Sequence, residues 1–180
     1  MIDISHPLRS YSCILADAYL RANPGLDCTA RCKLAGRDSD GDSMSEHTVS
    51  DTLLDLARRT RELAYAPYSH FHVGAALQTR DGRQFPGCNV ENAAYGLCNC
   101  AERTALFSAI AAGYKPGDFS AMAVIADTPE PVTPCGSCRQ AMAELCGPSM
   151  PVLLANLAGA TRQTTVEALL PDGFQLAQRR

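Results

Sequence analysis

Four side chains in this chain have the types and spacing to hold a metal ion beside an acid–base group: Cys100, Glu102, Cys135 and Cys138. Cys135 and Cys138 lie three residues apart, so both sulfurs fall on one face of a helical first turn. Cys100 supplies a third sulfur from a different element. Zinc takes four tetrahedral positions with sulfur and nitrogen donors, and a catalytic zinc keeps one of them open for water. No fourth donor with matching context accompanies the three cysteines, which favours an open site over a closed structural one. Glu102 sits two residues from a ligand, close enough to handle a proton of that water without binding the metal. A non-catalytic zinc module would leave Glu102 as a surface carboxylate and would show four ligands. A Cys-x-x-Cys pair alone would also suit redox chemistry. No histidine lies near it to make a Cys–His nucleophile.

Three thiolates on one divalent zinc sum to a net charge of about −1, which weakens the metal as a Lewis acid. Positive help is therefore expected around the sulfurs. The three cysteines fall near predicted helix starts, where the dipole and backbone N–H groups favour negative charge. Arg103 and Arg139 are close in sequence and are candidates to donate to the sulfurs.

These residues need elements to hold them. Leu53, Leu56, Ala57, Thr60, Leu63 and Ala64 recur at helical spacing and predict a helix that Pro67 ends. Residues 72–79 read as a strand, Asp81-Gly82 as a hairpin turn, and residues 84–90 as the return strand. Pro86 and Gly87 make that return strand irregular or an edge. Residues 100–112 and 135–145 predict two helices opened by the cysteines, with a proline-rich loop over 128–134. Residues 121–126 and 152–155 read as buried strands, and residues 165–170 as a short helix closed by Pro171. The alternation predicts an α/β protein.

Residues 1–43 differ: Asn23-Pro24-Gly25 and the polar run 36–43 read as an extension and linker, poorly ordered or weakly docked, ahead of a catalytic domain over 44–180. Met44 follows the linker and is a candidate start of the working protein. Cys28 and Cys32 have no second pair beside them. Cys88, Cys98 and Cys146 show no ligand spacing and read as small buried residues. Nine cysteines without an export signal argue against a disulfide framework. The net charge of −3, with no basic run, disfavours a nucleic-acid partner. No apolar stretch is long enough to span a membrane, so a cytoplasmic location is expected.

The order Cys-x-Glu … Pro-Cys-x-x-Cys is the one known from zinc deaminases of nucleobases. Over residues 44–174 the sequence resembles the cytidine deaminase family, in particular its small-subunit, homotetrameric kind. The resemblance is carried by residues 64–77, AYAPYSHFHVGAAL, and residues 87–105, GCNVENAAYGLCNCAERTA. It implies a three-layer α/β/α sandwich around a five-stranded mixed sheet. It implies hydrolytic deamination of cytidine and 2′-deoxycytidine, as in pyrimidine salvage, with one Zn2+ per subunit. It also implies roles for further residues. Asn89, Val90 and Glu91 would form the sugar site, with Asn89 and Glu91 bonding ribose hydroxyls. Phe71 would stack on the pyrimidine, Ala93 and the backbone at Ala101 would contact the base, and Tyr95 would line the site. Phe174 would close the pocket across a subunit interface. A deaminase of an aminoacyl-nucleoside antibiotic or of single-stranded nucleic acid would share the zinc chemistry; Asn89-Val90-Glu91 and the absence of a basic run disfavour both.

Overall fold

The computed structural model describes residues 46–176 of the chain. The expectations placed on residues 1–43, including Cys28 and Cys32, lie outside the described residues.

The element order is α1 (Glu46–Arg61), β1 (Val73–Thr79), β2 (Gln84–Cys88), a 3-10 turn (Tyr95–Leu97), α2 (Ala101–Ala111), β3 (Phe119–Ala126), α3 (Gly136–Leu145), β4 (Pro151–Asn156), β5 (Thr161–Thr165) and α4 (Val166–Leu169). The five strands form one sheet in the order β2-β1-β3-β4-β5. β1 runs antiparallel to β2 and β3, β3 is parallel to β4, and β4 is antiparallel to β5. The sheet is therefore mixed. Its one parallel pair needs a crossover, and α3 provides it.

Side-chain alternation along the strands sorts the core into two faces. Ala76, Ala123, Ile125 and Ala155 point to Leu53 and Ala57 of α1. Ala75, Leu77, Met122, Val124, Val152 and Leu154 point the other way, into a larger cluster with α2, α3 and α4. This is the α/β/α sandwich.

Small residues set how closely the layers approach. A Cβ built on Gly74 would lie 2.0 Å from the Ala57 carbonyl oxygen of α1. A Cβ on Gly87 would lie 2.2 Å from the Ala101 carbonyl oxygen and 2.6 Å from the Ala105 nitrogen, both in α2. Both glycines let a helix rest directly on strand backbone. At Gly87, the helix is the one that begins beside Cys100.

Three elements depart from the expectations. α1 ends at Arg61, so Leu63 lies beyond it and is 74% exposed instead of joining the buried face. The chain has already turned there, with Leu63 N–H donating to the Thr60 carbonyl. β2 stops at Cys88; Val90 makes only isolated bridges, to Tyr65 and Asn99. The fifth strand, β5, has the sequence TRQTT, polar throughout and largely exposed at the sheet edge, so it carries no apolar pattern to read.

Candidate active site

α2 and α3 lie on the same face of the sheet, and their N-termini meet. Cys100 is the N-cap of α2 and Cys135 the N-cap of α3, both with extended backbone. Cys138 lies in the first turn of α3 and is fully buried. Cys100 Sγ lies 3.7 Å from Cys135 Sγ, and Cys135 Sγ lies 3.5 Å from Cys138 Sγ. The three sulfurs fall within 4.8 Å of one another. A disulfide needs sulfurs about 2.0 Å apart, so none of these pairs is bridged. Three corners of a tetrahedron with Zn–S bonds of about 2.3 Å stand about 3.8 Å apart. The sulfur triangle fits zinc in size and in donor chemistry.

The electrostatics favour an anionic sulfur at Cys100. Hydrogen bonding from Cys138, Arg103 and Cys135 lowers the Cys100 thiol to about 5, against the opposing effect of its burial. The Cys138 thiol moves up, because it shares its proton with Cys100 and is buried. Arg103 Nη2 donates to Cys100 Sγ at 3.6 Å and to the Cys98 carbonyl at 3.4 Å. Arg139 does not follow the expectation of a sulfur contact. Its Nε donates to the Pro134 carbonyl at 2.7 Å and its Nη1 to the Leu169 carbonyl at 3.2 Å. From the middle of the first turns of α3, the guanidinium is better placed to brace the chain on either side than to reach a sulfur.

Glu102 is only 4% exposed. Burial holds its carboxyl above the ordinary carboxylate range, and negative charge at Cys100 pushes it the same way. Its carboxyl also interacts with the Cys138 thiol, which places it beside the sulfur triangle. A buried carboxyl with a raised pKa next to a candidate metal site is suited to taking up and giving back a proton.

The segment before α2 is held by a small backbone ladder. Val90 exchanges both hydrogen bonds with Asn99 at 2.9 Å. On the other side, Tyr65 N–H donates to the Asn89 carbonyl and Glu91 N–H to the Tyr65 carbonyl. The Asn89 side chain locks this strip to β1: its Oδ1 accepts from Val73 N–H and its Nδ2 donates to the Phe71 carbonyl, each at 2.8 Å. Thr104 Oγ1 lies 3.0 Å from the Cys88 carbonyl and 3.1 Å from the Cys100 carbonyl, joining the strip to α2.

Glu91 and Tyr95 line a cavity of about 220 Å³ with Tyr68, Ser69 and Cys98. The Tyr68 and Tyr95 rings meet edge to face. Glu91 accepts from the Tyr68 and Ser69 amides, at 2.9 and 3.2 Å, and from the Ser69 hydroxyl. The Ser69 hydroxyl is the first cause that lowers the Glu91 carboxyl below its usual range. Phe71, Val90, Ala93 and Tyr95 are exposed, while Ala101 is fully buried. Phe174 is 70% exposed and reaches α3 through its carbonyl, which accepts from Gln140 Nε2 at 2.8 Å.

Sequence reasoning assigned no role to Ser69 and gave Arg139 a sulfur contact that it does not make. A serine in a Pro-Tyr-Ser turn reads as ordinary turn chemistry, and no spacing rule ties it to a carboxylate 22 residues away. Cys98 also differs from the expectation of a buried thiol: it is half-buried, and its sulfur accepts from Asn92 N–H at 3.2 Å. Cys88 is half-buried as well, and Cys146 is buried.

Residues 47–154 match the family described as the cytidine and deoxycytidylate deaminase zinc-binding region. The chain belongs to this family. It is 53% identical to the cytidine deaminase of Sporosarcina psychrophila over 124 residues, covering 69% of this chain and 90% of that protein. It is 55% identical to the cytidine deaminase of Halalkalibacterium halodurans over 122 residues, covering 68% and 91%. Among solved structures it resembles the cytidine deaminase from Burkholderia pseudomallei, with a TM-score of 0.69 and 59% identity, covering 73% of this chain and all of that one. The fold is that of the cytidine deaminases, and the family is zinc-dependent.

Proposed function

We propose that this protein hydrolyses cytidine and 2′-deoxycytidine to uridine and 2′-deoxyuridine, releasing ammonia. The observation that carries the reading is the sulfur triangle of Cys100, Cys135 and Cys138 with the buried carboxyl of Glu102 against it. Family membership and the cytidine deaminases it resembles support the same reaction.

Cys100, Cys135 and Cys138 would hold zinc, which when bound lowers the pKa of a water molecule and makes it a nucleophile near neutral pH. Glu102 takes a proton from the attacking water and delivers it to the ring nitrogen next to C4. It then carries a proton to the departing amino group, which leaves as ammonia. Burial suits the carboxyl to both directions of transfer. Arg103 offsets the charge of the sulfurs through its bond to Cys100. Asn89 and Glu91 would receive the sugar hydroxyls, with Val90 fixing their spacing. Phe71 and Tyr95 would flank the nucleoside, and Ala93 and the backbone at Ala101 would meet the base.

In this reading the protein is a homotetramer with sites completed by neighbouring subunits. The exposure of Phe71, Tyr95 and Phe174, at 41%, 76% and 70%, supports it, since aromatic surface of this kind is what an interface covers. It works in the cytoplasm, where reducing conditions keep zinc-binding thiols unbridged, as part of pyrimidine salvage. Residues 44–180 form the catalytic domain, and a chain beginning at Met44 keeps its activity. The deciding experiment follows the absorbance of cytidine, 2′-deoxycytidine and free cytosine with zinc-loaded protein. Loss of the two nucleoside bands is expected; no loss of the cytidine band would overturn the assignment.

A further inference from the structure

The loop before β1 contains a hydrogen-bond arrangement that the chemistry above does not use. Glu91 carries two backbone donors on Oε2, from Tyr68 and Ser69. Its Oε1 takes the Ser69 hydroxyl. The Ser69 Oγ in turn accepts from Phe71 N–H at 3.0 Å. A hydroxyl has one proton to give. With Phe71 N–H occupying an acceptor position, the Ser69 proton is directed at Glu91 Oε1.

The backbone is shaped for this. His70, between Ser69 and Phe71, has φ +55, the left-handed region that a non-glycine residue rarely adopts. His70 N–H closes the turn onto the Ala66 carbonyl at 3.0 Å. This reversal brings Phe71 N–H back over Ser69 Oγ. Ser69 and Glu91 both line the cavity of about 220 Å³, so the carboxylate is held at the cavity wall.

We propose that Ser69 is a positioning residue for sugar recognition: its hydroxyl fixes the Glu91 carboxylate in the orientation that accepts the nucleoside 3′-hydroxyl. The proposal rests on the reading of Glu91 as a sugar acceptor. With Oε2 saturated by two amides, Oε1 keeps one lone pair for a substrate hydroxyl, and Ser69 sets which direction that lone pair faces. Without the hydroxyl, the carboxylate retains its amide bonds at one oxygen only and is free to turn about them.

The test compares 2′-deoxycytidine with 2′,3′-dideoxycytidine, which differ only in the 3′-hydroxyl. The quantity read is the ratio of their kcat/KM values in zinc-loaded enzyme. Ser69→Ala is expected to lower this ratio about tenfold, through KM for 2′-deoxycytidine, with 2′,3′-dideoxycytidine changed less than about twofold. Ser69→Cys, a weak donor of similar size, is expected to behave like Ser69→Ala, and Ser69→Thr to restore most of the ratio. A purely structural serine would lower both substrates alike, and that outcome, or an unchanged ratio, overturns the proposal. Glu91→Gln separates the two levels. If it leaves the ratio intact, the sugar reading of Glu91 falls and the proposal falls with it. If it collapses the ratio while Ser69→Ala does not, only the role of Ser69 is lost. Ser69→Ala added to Glu91→Gln is expected to lower the ratio no further.

Discussion

A buried carboxyl, Glu102, lies beside three sulfurs, and the guanidinium of Arg103 lies beside one of them. Glu102 Oε atoms are shielded from water, and the side chain has no assigned part in holding the metal. Glu102→Gln keeps the shape and removes the titrating group. It is expected to retain zinc at one per subunit, measured by metal analysis, and to lose at least about a thousandfold in kcat. Retained turnover would remove Glu102 from the proton path. Arg103 contacts Cys100 at 3.6 Å. Arg103→Gln is expected to lower zinc affinity about tenfold or more in a chelator competition, because a partner of a ligand tunes the metal it holds. Unchanged affinity and rate together would count against that role. That Cys100, Cys135 and Cys138 come together with Glu102 and Arg103 beside them was legible in the sequence, because two short motifs, Cys-x-Glu-Arg and Cys-x-x-Cys, each open a helix. Arg139 was not, because sequence proximity to Cys138 says nothing about which way a guanidinium points, and here it points to two carbonyls.

The elements were legible wherever burial imposes a pattern. β3 and β4 are buried enough to show as apolar runs, and α2 and α3 begin at the cysteines that the metal motif already marks. β5 was invisible because an edge strand with polar side chains has no hydrophobic period. The end of α1 was overrun because Leu63 and Ala64 keep the helical spacing after the helix has stopped at Arg61. The contact that matters most for the site is the seat of α2 on β2. Gly87 was read as a strand irregularity, yet it is also the position where any side chain would strike the Ala101 carbonyl at 2.2 Å. Both neighbours there are backbone or short side chain, so neither can swing away. Gly87→Ala is expected to destabilise the fold by about 3 kcal/mol in urea denaturation. It should also lower kcat in the fraction that remains folded, since the first turn of α2 carries Glu102. A variant as stable and as active as the parent would show that the strand and helix separate at little cost.

At the scale of the whole molecule, the question is whether one protomer contains its complete site. The protomer assembles the sulfur triangle, Glu102 and the Glu91 clamp from its own residues. It leaves Phe174 70% exposed near the end of the described chain, with its carbonyl accepting from Gln140 of α3. A ring held by its backbone and facing outward serves a neighbouring molecule better than its own cavity. In the symmetric assembly proposed above, each subunit would give Phe174 to one site and receive it at another. Complementation tests this directly. Glu102→Gln subunits lack the proton carrier but keep Phe174; Phe174→Ala subunits keep Glu102 but lack the ring. When the two are co-expressed, some hybrid sites combine the Glu102 of one subunit with the Phe174 of another. Activity above the sum of the two separate variants is expected, with mixed assemblies isolated by two different affinity tags, one on each variant. If mixed assemblies form and activity stays at that sum, Phe174 serves its own protomer or no site, and the exchange of Phe174 between subunits falls.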